Sequence, residues 1–219
     1  MTGAQALDQI MARLARTGDT TLRAQALIEM VQLQRVLEKG TFQPWFLFTD
    51  DTTTYSTAAN TESVTLTIGT FIRLEEESGG VWWKDTTITT PDQWVEIKRK
   101  PFTFLKAEYE GEDASTPKYY DYIGTKLYFR PIPDAIYNLR VMGYAHDSAP
   151  TDAAATNLWL THADQWLVSA VTAIMASTYL QNTDLGNTQS NLAEGHRKQV
   201  YRDTEARKHM GQDYQMGDD

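Results

Sequence analysis

Hydrophobic side chains near the start of the chain recur at helical spacing. Four of them lie at positions i, i+3, i+4 and i+7 and predict a first helix that ends before Gly18: Leu7, Ile10, Met11 and Leu14. A second apolar stripe follows a potential helix cap at Asp19 and continues towards Gly40. Its members are Ala26, Met30, Leu33 and Leu37, widened by Leu27 and Val31. The first forty residues are therefore predicted to be helical.

The hydrophobic pattern changes to a period of two from Phe42 onward. Val64, Leu66 and Ile68 alternate with threonines, as in a strand with one buried face. Seven further segments between glycine and proline turn signals continue this pattern: 71–77, 81–84, 94–98, 102–109, 119–123, 126–130 and 137–144. The turn at 78–80 predicts a hairpin between the first two. Many short strands of this kind predict a sandwich or barrel.

Helical spacing returns after Pro150. Asn157 is a predicted helix start, and Thr161 with Asp164 has the spacing of a capping box. One helical face then continues to about Asn182: Leu160, Ala163, Leu167, Ala170, Val171, Ile174 and Thr178. A last polar helix over 188–209 has few side chains to bury, namely Leu192, Ala193, Val200 and Tyr201, so we expect it to become ordered on docking to a partner.

These elements predict an α+β fold class. The N-terminal and C-terminal helices form a helical bundle, and an antiparallel β-sandwich or barrel-like region is inserted between them. The predicted boundaries are residues 1–40 for the N-terminal helices, 41–150 for the β-rich insertion, and 151–219 for the C-terminal helices and a docking tail.

Composition narrows the possible functions. The 219 residues include 20 basic and 29 acidic side chains, so the net charge of −9 argues against a surface that grips DNA phosphates. The absence of cysteine excludes disulfides, thiolate nucleophiles and cysteine-based metal sites. The uncharged stretch 165–183 contains too many polar residues for a membrane span. No signal peptide is recognisable, so we expect synthesis in a cytoplasm and no membrane partner.

Motifs for catalysis are missing from the sequence. The four histidines, at 146, 162, 196 and 209, lack metal-ligand spacing, and no nucleophile elbow or phosphate-binding glycine loop is present. We therefore predict no enzyme activity, no metal and no cofactor. Two acidic clusters leave open a glycan-cleaving enzyme, which needs two carboxylates facing each other across a cleft. These clusters are Glu75, Glu76 and Glu77, and Glu108, Glu110, Glu112 and Asp113.

Three tryptophans in the β-rich part support another alternative. Trp82, Trp83 and Trp94 could form a sugar-stacking surface, as in a carbohydrate-binding or receptor-binding module. Core packing is the simpler interpretation, because adjacent residues of a strand point to opposite faces.

Basic residues concentrate late in this acidic chain. Five of them lie between Glu194 and His209 and are candidate partner-binding residues: Arg197, Lys198, Arg202, Arg207 and Lys208. A solvated helix with charge pairing at i, i+4 would give the same pattern.

One long passage is more specific than composition. It runs as Tyr120-Asp121-Tyr122-Ile123, Gly124-Thr125-Lys126-Leu127-Tyr128-Phe129-Arg130-Pro131-Ile132-Pro133-Asp134, Tyr137-Asn138-Leu139-Arg140-Val141, Gly143-Tyr144 and Thr156-Asn157-Leu158-Trp159-Leu160, and continues through Asp164 to Tyr179-Leu180. This order of a strand, a Pro-x-Pro-Asp corner, a second strand and a Thr-Asn-opened helix resembles the head-to-tail adaptor proteins of tailed bacteriophages. The resemblance covers about a third of the chain well.

The resemblance implies a structural role in the virion neck. Such adaptors form a ring under the portal, typically of twelve copies, which extends the DNA channel and provides a docking platform for the tail. The implied partners are the portal protein, tail or nozzle proteins and further copies of the chain, with DNA passing through without specific binding. The C-terminal segment commonly reaches the portal, which assigns Arg197, Lys198, Arg202, Arg207 and Lys208 to that contact. The protein would be made in the bacterial host cytoplasm.

Overall fold

The chain forms two compact units, one of which is inserted into the sequence of the other. A computed structural model describes residues 1–67, 71–75, 80–87 and 93–213, with side chains up to Arg207. The first unit combines Met1–Leu47 with Asp147–Asp219, and the second is Phe48–His146.

Helices and strands separate between the two units. The described helices are α1 (Gly3–Arg13), α2 (Thr20–Glu38), α3 (Phe102–Tyr109), α4 (Leu158–His162), α5 (Asp164–Ile174) and α6 (Thr183–Asp213). A 3₁₀ turn lies at Trp45–Leu47, and a π-helical segment at Met175–Tyr179 continues α5. The described strands are β1 (Phe48–Ser56), β2 (Ser63–Thr65), β3 (Phe71–Leu74), β4 (Val81–Asp85), β5 (Val95–Arg99), β6 (Tyr119–Ile123), β7 (Lys126–Arg130) and β8 (Tyr137–Ala145). The predicted α+β fold class is confirmed.

Helix α5 is the centre of the helical unit. It packs against α1, α2, α4 and α6, and most of its residues are buried. Both of its buried hydroxyls have hydrogen-bond partners, since Thr172 donates to the carbonyl of Val168 within the helix and Ser169 accepts from Arg13 on α1. Most side chains of the uncharged stretch between Trp166 and Ala176 are thus buried, as predicted, whereas Ser177, Thr178 and Tyr179 near its end are exposed. Among the described residues, no helix combines the length and hydropathy that crossing a membrane requires.

Side-chain caps fix where several of these helices begin. Asp19 accepts from the amide of Leu22 and Asn157 accepts from that of Leu160, which confirms both predicted caps. The predicted capping box at Thr161 is wrong. Helix α4 has already begun at that point, and the Thr161 hydroxyl donates to the carbonyl of Asn157 within it.

The inserted unit is a curled, half-barrel sheet. Its strand order is β1-β8-β4-β5-β6-β7-β2, and β3 also pairs with β8. The core lies on one face, with Val81, Ile97, Leu127, Phe129 and Leu139 fully buried. The sheet is mixed, because β5 and β6 run parallel while the other described pairs are antiparallel. The prediction of a wholly antiparallel region is therefore wrong at this pair.

The parallel pair follows from a second wrong prediction, the strand at 102–109. This segment is helix α3, and a helix can carry the chain back to start a parallel neighbour. Phe102 and Leu105 have the i, i+3 spacing of a helical face, whereas Phe102 and Phe104 alternate as in a strand, so the pattern of this short segment is ambiguous. The carboxylate of Asp121 on β6 accepts from the amide of Phe102 and so caps α3 from outside.

The predicted hairpin between β3 and β4 is also wrong. Both strands pair with β8, one after the other along the same strand: Leu74 lies opposite Gly143, and Val81 lies opposite Val141. Met142 bridges the interval, since its carbonyl accepts from the amide of Glu75 and its amide donates to the carbonyl of Gly80. Glu75 and Gly80 are therefore both bonded to the same residue of β8.

The close approach of Gly80 to the backbone of Glu75 requires a glycine. A Cβ atom on Gly80 would overlap the carbonyl oxygen of Glu75, and the amide of Glu75 and the carbonyl of Gly80 are both held by hydrogen bonds to the backbone of Met142. We expect Gly80→Ala to lower the free energy of unfolding by about 1–3 kcal/mol, because the backbone must shift. Urea unfolding followed by tryptophan fluorescence measures this. Gly195→Ala is the control, since a Cβ there meets open space in a helix and should be neutral or stabilising. Equal stability of the two variants would contradict the close approach.

Candidate interaction site

Helix α6 buries only a narrow stripe against α5. The buried members are mostly small: Gly186, Gln189, Ala193, Val200 and Thr204. Ala193 and Val200 were predicted to be buried, and both are. Leu192 and Tyr201 were predicted to join them, but each is 47% exposed, because they lie on the two flanks of the stripe. Most of the surface of α6 therefore faces solvent.

Polar contacts supplement this limited packing near the start of α6. The guanidinium of Arg13 on α1 donates to Ser169 Oγ at 2.9 Å, to Gln189 Oε1 at 3.1 Å and to Gln165 Oε1 at 3.0 Å. One side chain thus joins α1, α5 and α6. All three acceptors are neutral, so the interaction depends on hydrogen-bond geometry more than on charge pairing.

The C-terminal half of α6 is fastened to the segment just before β1. Phe42 stacks on Tyr201 with ring centroids 4.8 Å apart, and the backbone amide of Trp45 donates to Thr204 Oγ1. The guanidinium carbon of Arg207 lies 3.6 Å from the centroid of a Trp45 ring, a cation–π contact. We call these five residues the Trp45 latch. It fixes α6 beyond the point where its buried stripe becomes sparse.

His162 at the end of α4 adjoins the latch. Its ring centroid lies 4.7 Å from that of Trp45 and 5.4 Å from that of Phe46. Desolvation lowers the pKa of His162 below its usual value, and the positive charge of Arg207 lowers it further. The neutral imidazole is thus the form that suits this surrounding.

A buried carboxylate stabilises the surroundings of the 3₁₀ turn that carries Trp45. Glu38 is fully buried at the end of α2 and accepts hydrogen bonds from Gln34, Arg35, the indole of Trp159 and the amide of Asp147. Trp159 in turn packs edge-on against Phe46, with centroids 5.2 Å apart. The 3₁₀ turn that carries Trp45 therefore rests on a fixed base.

A second feature of α6 is a cleft of about 250 Å³ lined by four side chains on its exposed side. We call it the cationic cleft; its residues are Arg197, Lys198, Tyr201 and Arg202. Glu194 accepts two hydrogen bonds from Arg197 and lies 3.8 Å from Lys198. Arg202 forms no ion pair with any side chain that the structure describes. The cleft thus retains excess positive charge in an acidic protein.

Comparison with known families decides the identity of the chain. The sequence model of the SU10 adaptor protein family matches residues 1–216. The chain belongs to the SU10 adaptor protein family. No curated protein matched the chain in a parallel search. The predicted resemblance to phage head-to-tail adaptors is therefore confirmed, and the chain is a phage adaptor protein.

The structure divides the five basic residues that were predicted to bind a partner of this adaptor. Arg197, Lys198 and Arg202 lie together at the cationic cleft. Arg207 is part of the Trp45 latch, and Lys208 lies outside the described side chains. The basic residues of 197–208 therefore lie in at least two different local environments.

The tryptophans and acidic residues behind the two alternative functions do not form a shared site. Trp83 packs on Tyr137 in the sheet core, whereas Trp82 is on the opposite face of β4, and neither Trp82 nor Trp94 is fully exposed. A three-tryptophan platform is thus not formed. We call Glu108, Glu110, Glu112 and Asp113 the acidic turn; all four are exposed at the end of α3, and none of them lines the cationic cleft. Glu76 and Glu77 lie outside the described residues. Within those residues, no group of three potential ligands could hold a metal ion.

Phe42 and Trp45 are the site residues that sequence reasoning missed. They were included in the alternating region, which begins six residues later, at Phe48. A signal was available, because the two aromatics are three residues apart around Pro44 and do not alternate with polar positions. Their partners on α6 could not be identified from spacing alone, since the contact joins residues about 160 positions apart in sequence.

Loss of the Trp45 latch should release the C-terminal half of α6. In Trp45→Ala the cation–π contact, worth about 0.5–1 kcal/mol, and the aromatic packing are removed together. We expect amides in 200–207 to exchange about tenfold faster, as measured by hydrogen exchange with mass spectrometry. Trp94→Ala is a matched control, because Lys84 lies 5.8 Å from that ring in the other unit. Unchanged exchange in 200–207 for Trp45→Ala would show that the latch does not hold the helix.

The lowered pKa of His162 predicts a pH dependence. Because folded His162 binds a proton more weakly than unfolded His162, the free energy of unfolding should be highest above the usual pKa of 6.5 and fall as the pH drops through the lowered pKa. We expect His162→Gln to weaken this fall between pH 7 and 5 in urea unfolding. Arg207→Gln should reduce it partly, since Arg207 is the second cause of the shift. Identical pH profiles for wild type and His162→Gln would contradict the assignment.

Proposed function

We propose that the chain is the head-to-tail adaptor of a tailed phage virion. Copies of it form a ring under the portal, which extends the DNA channel and gives the tail or nozzle proteins a platform. The observation that carries the proposal is the family match over 1–216, which spans both units. The protein acts by binding, without catalysis or a cofactor, and resides in the neck of the virion after synthesis in the host cytoplasm.

The two units support contacts with different partners. The helical unit presents α6, a helix of 31 residues with a largely exposed surface, and the inserted unit presents the outer surface of a half-barrel sheet. An adaptor needs one surface for the portal and another for the tail. We assign the portal to α6 and the tail components to the inserted unit.

The charge of the chain agrees with a channel through which DNA moves. With a net charge of −9 per copy, a ring would repel phosphates overall. Tight binding by many lysines and arginines would hold the duplex through counterion release, which is undesirable during DNA passage. DNA is therefore proposed to pass without specific contacts.

Portal contact is proposed for the end of α6, from Lys208 onward. The Trp45 latch supports this assignment, because it fixes α6 up to residue 207 and so sets the direction in which the chain continues. Arg207 faces Trp45 through its guanidinium, so its role is to position the helix end, whereas Lys208 and later residues would make the contact. Of the five basic residues that were predicted to contact the portal, this proposal keeps only Lys208 as a direct contact.

A truncation after Arg207 tests the portal contact. Removal of 208–219 keeps the latch and the buried stripe, whereas a cut after Thr183 would expose α5. We expect wild type to co-sediment with portal rings from the same phage at about one copy per portal subunit, and the truncated chain to lose binding by tenfold or more. Circular dichroism and thermal unfolding confirm that the truncated chain is folded.

Trp94→Ala serves as a further control in this assay, since it alters the other unit and should bind portal rings normally. Absence of wild-type binding at micromolar concentration would contradict the proposed function. Normal binding by the truncated chain would contradict only the assignment of the portal contact to the end of α6.

A further inference from the structure

The positive charges of the cationic cleft are only partly neutralised by the described side chains. Lys198 and Arg202 are four residues apart on α6, where like charges destabilise a helix by about 0.2–0.5 kcal/mol. Glu194 holds Arg197 through two hydrogen bonds and is 3.8 Å from Lys198, which leaves Arg202 without a counter-charge among the described side chains. Tyr201, stacked on Phe42, forms a fixed wall of the cleft. The arrangement favours a carboxylate-bearing partner.

The acidic turn carries negative charge that no described side chain neutralises. Its four carboxylates follow or end α3, where the helix dipole places partial negative charge, so each is locally unfavourable. None of the four forms an ion pair with a described side chain. The pKa of the neighbouring Tyr109 is raised, mainly by desolvation, and the charges of Glu112 and Glu108 contribute to the shift. The acidic turn would gain from a cationic partner.

We propose that the cationic cleft binds the acidic turn of a second copy of this chain. Arg202 and Lys198 would pair with carboxylates among Glu108, Glu110, Glu112 and Asp113, and Tyr201 would pack against the turn. This inference rests on the proposed ring and specifies one of its subunit contacts. It assigns Arg197, Lys198 and Arg202 to a neighbouring copy rather than to the portal.

Such a contact has the symmetry that a ring requires. The two surfaces are different parts of the chain, so each copy offers a cleft to one neighbour and a turn to the other. A contact of this heterologous type closes into a ring when the rotation between copies is an integer fraction of a full turn. A single exposed ion pair contributes only about 0.2–1 kcal/mol, so the contact is weak alone and is reinforced when copies gather on one portal.

Cysteine cross-linking tests the contact directly, because the natural chain has no cysteine. Chains with Glu110→Cys and chains with Lys198→Cys are mixed, assembled on portal rings and treated with a short bis-maleimide. We expect a heterodimer band between the two variants. Gln199→Cys in place of Lys198→Cys is the matched control, since its side chain points about 100° away around the same helix, and it should cross-link at least fivefold less.

Charge reversal identifies the interaction. Arg202→Glu, added to the Lys198→Cys chain, should reduce the heterodimer about fivefold or more. Glu112→Arg, added to the Glu110→Cys chain, should restore it towards the original level, because the pair is then attractive again. Raising the salt concentration from 0.1 to 1 M should weaken the original and the reversed pair alike.

Portal binding is measured in the same samples to separate the two proposals. Normal portal stoichiometry without the Glu110–Lys198 cross-link would overturn the inference and leave the proposed function intact. Loss of portal binding in Arg202→Glu that Glu112→Arg does not restore would also overturn it, because Arg202 would then contact the portal. A chain that never binds portal rings would contradict the proposed function itself.

Discussion

The helical unit depends on a single buried carboxylate. Glu38 has no contact with solvent, and burial of an uncompensated charge would cost several kcal/mol. Its donors come from α2, from Trp159 on α4 and from the amide of Asp147, where the chain returns from the inserted unit. The two separate parts of the helical unit are thus joined at the point where a 99-residue insertion divides them. The base of the Trp45 latch depends on the same network, through Trp159 and Phe46.

Helix α6 illustrates how a polar helix can be held with little hydrophobic burial. Its stripe of small residues allows close approach to α5 but removes little apolar surface from water, so packing alone is weak. Arg13 near one end and the Trp45 latch near the other supply directional contacts instead. The exposed flanks are consequently free to carry charged side chains.

Sequence patterns predicted the α+β class, because periods of 3.6 and 2 are local properties. They were wrong at 102–109 and in pairing β3 with β4, where the outcome depends on partners far along the chain: Asp121 caps α3, and both β3 and β4 pair with β8. The candidate site was predicted only in part, for the same reason. The concentration of basic residues identified 197–208 as a candidate site. Which of these residues belong to the cationic cleft and which to the Trp45 latch depends on Trp45, and no local sequence pattern predicts that Trp45 contacts α6.

The nested order of the two units has a consequence for biosynthesis. The eight strands that the structure describes lie within Phe48–His146, so all of them have been synthesised before α5 leaves the ribosome. Helices α1 and α2 are made first, yet their main packing partner is synthesised more than a hundred residues after them. The half-barrel can therefore fold during translation, whereas α1 and α2 cannot pack until α5 has been synthesised. The helical unit is thus completed last.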